Sequence, residues 1–137
     1  MERIVGIDYG KKRSGVAISD PLGIFASPLE TVPSAGLVDF LKNYTQKEQV
    51  KLFVVGYPMD LQNRPAEAAK FVDQLLSLLK KHFPAIPVIK EDERFTSQLA
   101  FRSLIDSGVK KMDRREKGAV DRVSAAIILQ TYLDRKK

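Results

Sequence analysis

Residues 3–19 constrain this chain more than any other stretch. Arg3-Ile4-Val5-Gly6-Ile7-Asp8-Tyr9 and Ser14-Gly15-Val16-Ala17-Ile18-Ser19 are apolar runs joined by the short turn Gly10-Lys11-Lys12-Arg13. Two such runs around a Gly-containing turn predict a β-hairpin. Inside the first run stands one carboxylate, Asp8. Asp packs poorly in strands and is costly to bury unpaired, so this one needs a cation, a basic partner or exposure at the strand end. A solvated turn acid would satisfy the pattern. The surroundings favour a functional site instead: Gly6 and Gly10 leave Asp8 uncrowded, and Lys11, Lys12 and Arg13 supply the charge a polyphosphate-facing site needs.

Further along, Asp20-Pro21-Leu22-Gly23 is a turn signal, and Ile24 to Thr31 reads as a third strand. Pro28 within it predicts an irregular or edge position. A helix is expected from Pro33-Ser34 to about Gln46, with Leu37, Phe40, Leu41 and Tyr44 at helical spacing. Lys51-Leu52-Phe53-Val54-Val55-Gly56 is a continuous apolar run, as in a buried parallel strand. A second helix is expected from about Pro65 to His82, then a short strand from Val88-Ile89 into Lys90-Glu91-Asp92-Glu93-Arg94. Thr96 or Ser97 caps a third helix ending before Gly108; a basic loop follows over 109–117, and a last helix spans about Ala119 to Leu133. Three antiparallel strands followed by alternating helices and strands predict an α/β fold. Its expected form is a mixed five-stranded sheet flanked by helices on both faces, the ribonuclease H-like arrangement, as one domain over 1–137.

Composition narrows the chemistry. The chain has no cysteine, which excludes disulfides, thiolate metal sites and Cys nucleophiles. Its single histidine, His82, argues against His-rich metal centres and His-dependent triads. No apolar run reaches the roughly 20 residues of a membrane helix and no signal-peptide pattern opens the chain, so no membrane partner and a cytoplasmic location are expected. The net charge of +6 favours an anionic partner, nucleic acid first.

Three acidic positions fall where strand ends and a helix can converge: Asp8, then Asp92 or Glu93, then Asp121. Asp121 shares a helix face with Ala125 and Ile128, and the small Ala125-Ala126 pair lets that helix approach the sheet. Each acid has a plainer explanation. Asp121 suits a helix start, and Lys90-Glu91-Asp92-Glu93-Arg94 has the look of a solvated charge run. Together, carboxylates in a basic protein point to divalent cations. Mg²⁺ takes a few carboxylates and completes its shell with water and phosphate oxygens. Two such ions about 4 Å apart can drive phosphodiester hydrolysis.

These motifs resemble a known family. Gly6-Ile7-Asp8-Tyr9-Gly10-Lys11-Lys12-Arg13-Ser14-Gly15-Val16-Ala17-Ile18-Ser19-Asp20, Val55-Gly56-Tyr57-Pro58, Asp92-Glu93-Arg94-Phe95-Thr96-Ser97, and Asp121 with Ala125-Ala126 look like the YqgF family, also called RuvX. That group is similar to the RuvC Holliday-junction resolvases, and the resemblance covers essentially the whole chain. It implies a ribonuclease H-like fold and a divalent-metal-dependent nuclease whose proposed task is maturing the 5′ end of 16S ribosomal RNA. It carries the catalytic and metal-holding roles to Asp8, Glu93 and Asp121, with Mg²⁺ or Mn²⁺, two ions, as cofactor. The substrate-facing residues are then expected to be Lys11, Lys12, Arg13, Arg94, Thr96, Ser97, Arg114 and Arg115. The expected partner is a 16S rRNA precursor or 30S precursor particle, and a monomer or weak homodimer is expected. The loop Met59-Asp60-Leu61-Gln62-Asn63-Arg64 lacks the Asn-Met-Asp-Gly wording associated with the family, and no substrate contact is assigned to it.

Three other readings compete. A Holliday-junction-type DNA nuclease, with branched DNA as partner, would use the same acids and phosphate contacts. A non-catalytic nucleic-acid-binding module would gain nothing from three acids beside phosphates unless cations neutralised them. Actin- and sugar-kinase-like phosphate binders also open with Gly-x-Asp-x-Gly, but they close two such lobes over a nucleotide, and 137 residues supply one.

Overall fold

The expected hairpin forms the middle of a sheet. In this computed structural model, residues 2–59, 62, 64, 66–93 and 117–136 are described. Strand β1 (Glu2–Tyr9) pairs antiparallel with β2 (Arg13–Ser19), which sets Asp8 opposite Gly15. Strand β3 (Ala26–Pro33) lies antiparallel on the far side of β2. It is an edge strand, and its register slips between Val16 and Ala17, opposite Glu30 and Pro28. Both the edge position and the irregularity were expected from Pro28, which has no N–H for a ladder. The strand starts at Ala26 and not at Ile24. The cause is local: the Asp20 carboxylate accepts the N–H groups of Ile24 and Phe25 at 2.7 and 2.9 Å and keeps both in the turn.

A 3₁₀ turn (Ser34–Gly36) then leads into helix α1 (Leu37–Lys47), so the helix proper begins later than Pro33-Ser34. Strand β4 (Gln49–Tyr57) pairs parallel with β1, and its residues 52–57 are all buried. Helix α2 (Ala69–His82) starts four residues after the expected Pro65, because residues 66–69 close a turn, with the Ala69 N–H donating to the Ala66 carbonyl at 2.9 Å. Strand β5 (Val88–Asp92) runs parallel to β4, and helix α3 (Lys117–Arg135) closes the chain. The helix expected from Thr96 or Ser97 and the basic loop before α3 lie outside the described residues. Sheet order is β3-β2-β1-β4-β5, antiparallel on one side of β1 and parallel on the other. That is the mixed five-stranded sheet the sequence predicts.

Alternation along the strands sends side chains to two cores. Val5, Ile7, Phe53 and Val55 pack on α1 and α2 through Leu37, Leu41, Val72, Leu75 and Leu79. Ile4, Ala17, Leu52 and Val54 pack on α3 through Ala125, Ile128, Leu129, Tyr132 and Leu133. Ile128 and Leu129 are 1% and 0% exposed, and each contributes about 1.5–3 kcal/mol by leaving water. The second core is what positions the acids, because α3 lies very near the strands. At Gly15 an added Cβ would collide with the main-chain carbonyl of Asp121, so only glycine permits this approach. Asp121 is thereby carried to the strand pair that holds Asp8.

Candidate active site

Asp8 is the next-to-last residue of β1 and points to the α3 side of the sheet, like Ile4 two pleats earlier. Glu93 follows directly after β5, its N–H donating to the Tyr57 carbonyl at 3.3 Å as the last rung beside β4. Strand β4 lies between these two carboxylates. They nevertheless meet, because the β4 residue between them is Gly56. A Cβ there would lie 2.7 Å from Glu93 Oε2 and 2.6 Å from Ile128 Cδ1. The missing side chain is the gap through which Glu93 reaches Asp8. Asp92 faces outward and is exposed, so Glu93 supplies the second carboxyl of the pair.

Burial pushes both groups upward. The Glu93 carboxyl rises to about 8, first because it is desolvated and then because the Asp8 charge and hydrogen bond oppose its ionisation. Asp8 is also raised by burial, and further by Asp121, while its hydrogen bond with Glu93 works the other way. Each carboxyl of the pair resists ionising while the other is charged, so the two together favour holding a proton between them. A pair that needs either a proton or a cation between its members is a natural seat for a hard divalent ion, since every donor is a carboxylate oxygen.

Asp121 adds its charge to Asp8 but is engaged elsewhere. Its Oδ2 accepts from Arg13 Nε at 3.0 Å. Among the described residues, no three acidic or histidine side chains gather closely enough to form a ready ligand set. The three sequence-selected acids therefore stand at one end of the sheet as a touching pair and a neighbour held by arginine. Arg13 was expected to face phosphate, and its Nε meets a carboxylate.

Lys11 and Lys12 are exposed at the tip of a fastened turn. Gly10 N–H donates to the Arg13 carbonyl at 3.1 Å, and Ser34 N–H to the Lys12 carbonyl at 2.9 Å. The Ser34 hydroxyl donates to the Gly10 carbonyl at 2.5 Å and lies 2.7 Å from the Ser14 hydroxyl, with both serines buried. Two buried hydroxyls thus fix the turn that carries the lysines. Sequence reasoning gave Ser14 and Ser34 no part in the site, and it read Gly56 only as the end of an apolar run and part of a motif. Arg94, Thr96, Ser97, Arg114 and Arg115 lie outside the described residues.

A family model described as RuvX: Holliday junction resolvase matches residues 2–135. The chain is 47% identical over 137 residues to a Bacteroides thetaiotaomicron protein named "Putative pre-16S rRNA nuclease", covering all of this chain and 99% of that one. A Flavobacterium johnsoniae protein of the same name is 44% identical with the same coverage. Among solved structures, a fowlpox virus resolvase bound to Holliday junction DNA superposes with a TM-score of 0.61 at 11% identity, over 98% of both chains. Thermus thermophilus RuvC in complex with a Holliday junction substrate gives 0.58 at 18% identity, over 99% of this chain and 96% of that one. At such identities the likeness speaks for the fold, which is ribonuclease H-like.

Proposed function

The chain belongs to the RuvX family of nucleases, and from that premise we propose that it cleaves phosphodiester bonds in the precursor of 16S ribosomal RNA with Asp8, Glu93 and Asp121 as its catalytic acids. The observation that carries the assignment is the hydrogen-bonded Asp8–Glu93 pair, spanned across Gly56 at the carboxyl ends of β1 and β5. A fold gains no stability from forcing two half-buried carboxyls together unless a proton or a cation binds between them.

The donor set fits Mg²⁺ or Mn²⁺, and Asp8, Glu93 and Asp121 are the residues that would hold the ions. Divalent ions bound there would neutralise phosphate charge and make a bound water acidic enough to attack. The chain's own residues do the rest. The Asp8 and Glu93 carboxyls are half-buried and partly desolvated, so each meets incoming positive charge with less competition from water. Glu93 would release a proton to solvent on binding a cation together with Asp8. Arg13 balances Asp121, and the fastened Lys11–Lys12 turn offers two ammonium groups to backbone phosphates beside the acids. Arg94, Thr96, Ser97, Arg114 and Arg115 are assigned the remaining phosphate contacts. The protein acts as one domain, monomeric or weakly dimeric, in the cytoplasm where rRNA precursors are made; no helix among the described residues is long and apolar enough to cross a membrane.

A cleavage assay tests the reading. Precursor rRNA and a four-way DNA junction are each incubated with the protein, with Mg²⁺ and with chelator. Cleavage of the rRNA in Mg²⁺ alone is expected. Cutting only the junction would shift the substrate to DNA, and cutting neither would remove the nuclease assignment.

A further inference from the structure

Tyr9 follows Asp8 in β1, and the strand's pleat turns its side chain to the opposite side of the sheet, towards α2. There it stacks on Phe71 of α2, with ring centroids 4.7 Å apart and planes 15° from parallel. The two rings are not equivalent. Both are half-buried, but Tyr9 packs against the buried core on that side, whereas Phe71 forms part of the wall of a surface groove of about 460 Å³. Lys11, Lys70 and Gln74 also line the groove, together with the single carboxylate of Glu67, so its charged lining is net positive. A half-exposed aromatic ring braced from behind, between two ammonium groups and an amide, is the arrangement that receives an unpaired nucleobase and its phosphate.

We infer that Phe71, braced by Tyr9, is a base-stacking subsite for a single-stranded nucleotide flanking the cleaved phosphate, with Lys11 and Lys70 on its backbone and Gln74 within reach of the base edge. This rests on the nuclease reading, and it adds a path for the strand. The nucleic acid crosses the end of the sheet from the Asp8 side, passes the Lys11–Lys12 turn, and lays a base on Phe71. Stacking tolerates any base, so the subsite selects for an unpaired strand and not for a sequence.

The test uses the full chain and a single-stranded oligonucleotide carrying 2-aminopurine at successive positions, in chelator so that nothing is cut. Emission should be quenched at one position on binding. Phe71→Leu keeps an apolar side chain against Tyr9; it should abolish that quench and weaken binding about tenfold, while Phe71→Trp preserves both. Thermal melting within a few degrees of the parent shows that Phe71→Leu remains folded. Unchanged quenching and affinity in a folded Phe71→Leu protein would overturn the inference. The nuclease reading fails separately, through a wild-type protein that cleaves neither rRNA nor junction DNA, whereas an Asp8→Asn protein that still cuts would remove only Asp8 from the catalytic acids.

Discussion

Arg13 Nε donates to Asp121 Oδ2 at 3.0 Å, joining the turn of the first hairpin to the last helix across 108 positions of sequence. The pair is partly open to solvent, with side chains 41% and 24% exposed, so its contribution to stability is under about 1 kcal/mol. Its effect on the site is larger in kind. A guanidinium on Asp121 stands where positive charge is needed until a divalent ion arrives, and it opposes that ion. Arg13→Gln should therefore tighten Mg²⁺ binding severalfold by calorimetry without nucleic acid, with little change in melting temperature. Weaker Mg²⁺ binding would mean that Arg13 orients Asp121 for the ion.

Asp8→Asn keeps the volume of the side chain and removes its charge. Cleavage should fall by orders of magnitude at every Mg²⁺ concentration. Without metal the protein should melt no earlier than the parent, since the repulsion from Asp121 and the demand on Glu93 are both relieved. A variant that melts early yet still cuts would return Asp8 to a purely structural role.

Gly56→Ala places a methyl group where the Glu93 carboxyl now lies. Overpacking of this kind costs about 1–3 kcal/mol, which leaves most of the protein folded. The displaced Glu93 should lose its contact with Asp8, and its carboxyl should titrate at lower pH in side-chain carbon NMR. Cleavage should drop in parallel. Parent-like titration of Glu93 would show that the gap at Gly56 is not what lets the two acids meet.

The Glu93 carboxyl stands near 8 against an ordinary value of 4.5, and Asp8 is raised as well. Both groups hold their protons more tightly folded than unfolded. The stability they contribute is thus complete below about 4.5 and is lost as pH rises to about 8. In chelator, the melting temperature should fall between pH 5 and pH 8.5, and Mg²⁺ should restore it at the alkaline end. Glu93→Gln should flatten the metal-free trend. A melting temperature that climbs with pH across this window would mean the two carboxyls share no proton.

Much of this site was legible along the chain because its parts are local. Asp8 in an apolar strand, the three cations after it, and Ala125-Ala126 beneath Asp121 are each visible within a few residues. What distant chain supplies was not. The run Lys90-Glu91-Asp92-Glu93 reads as solvated charge, yet Glu91 is 7% exposed and is paired with Arg135 from the far end of α3. Strand β5 does run from Val88 into the acids as far as Asp92, as expected, since pairing with β4 outweighs their low strand propensity. The Arg13–Asp121 pair was invisible for the same reason: nothing near Arg13 in sequence says that α3 will pass over it. The start of α2 was misjudged on a proline signal that a turn at 66–69 overrides.

The main-chain carbonyl of Asp121 rests where Gly15 has only a hydrogen. Side chains in an interface can repack when a neighbour changes, but a backbone resting on a backbone has nothing left to yield. The separation of α3 from the hairpin therefore behaves as a mechanical stop. The depth of Asp121 is set by the chain itself, whichever apolar residues fill the interface beyond it. Substitutions along the outer surface of α3 leave that depth untouched, whereas one methyl group at position 15 lifts the whole helix start and takes the third acid with it.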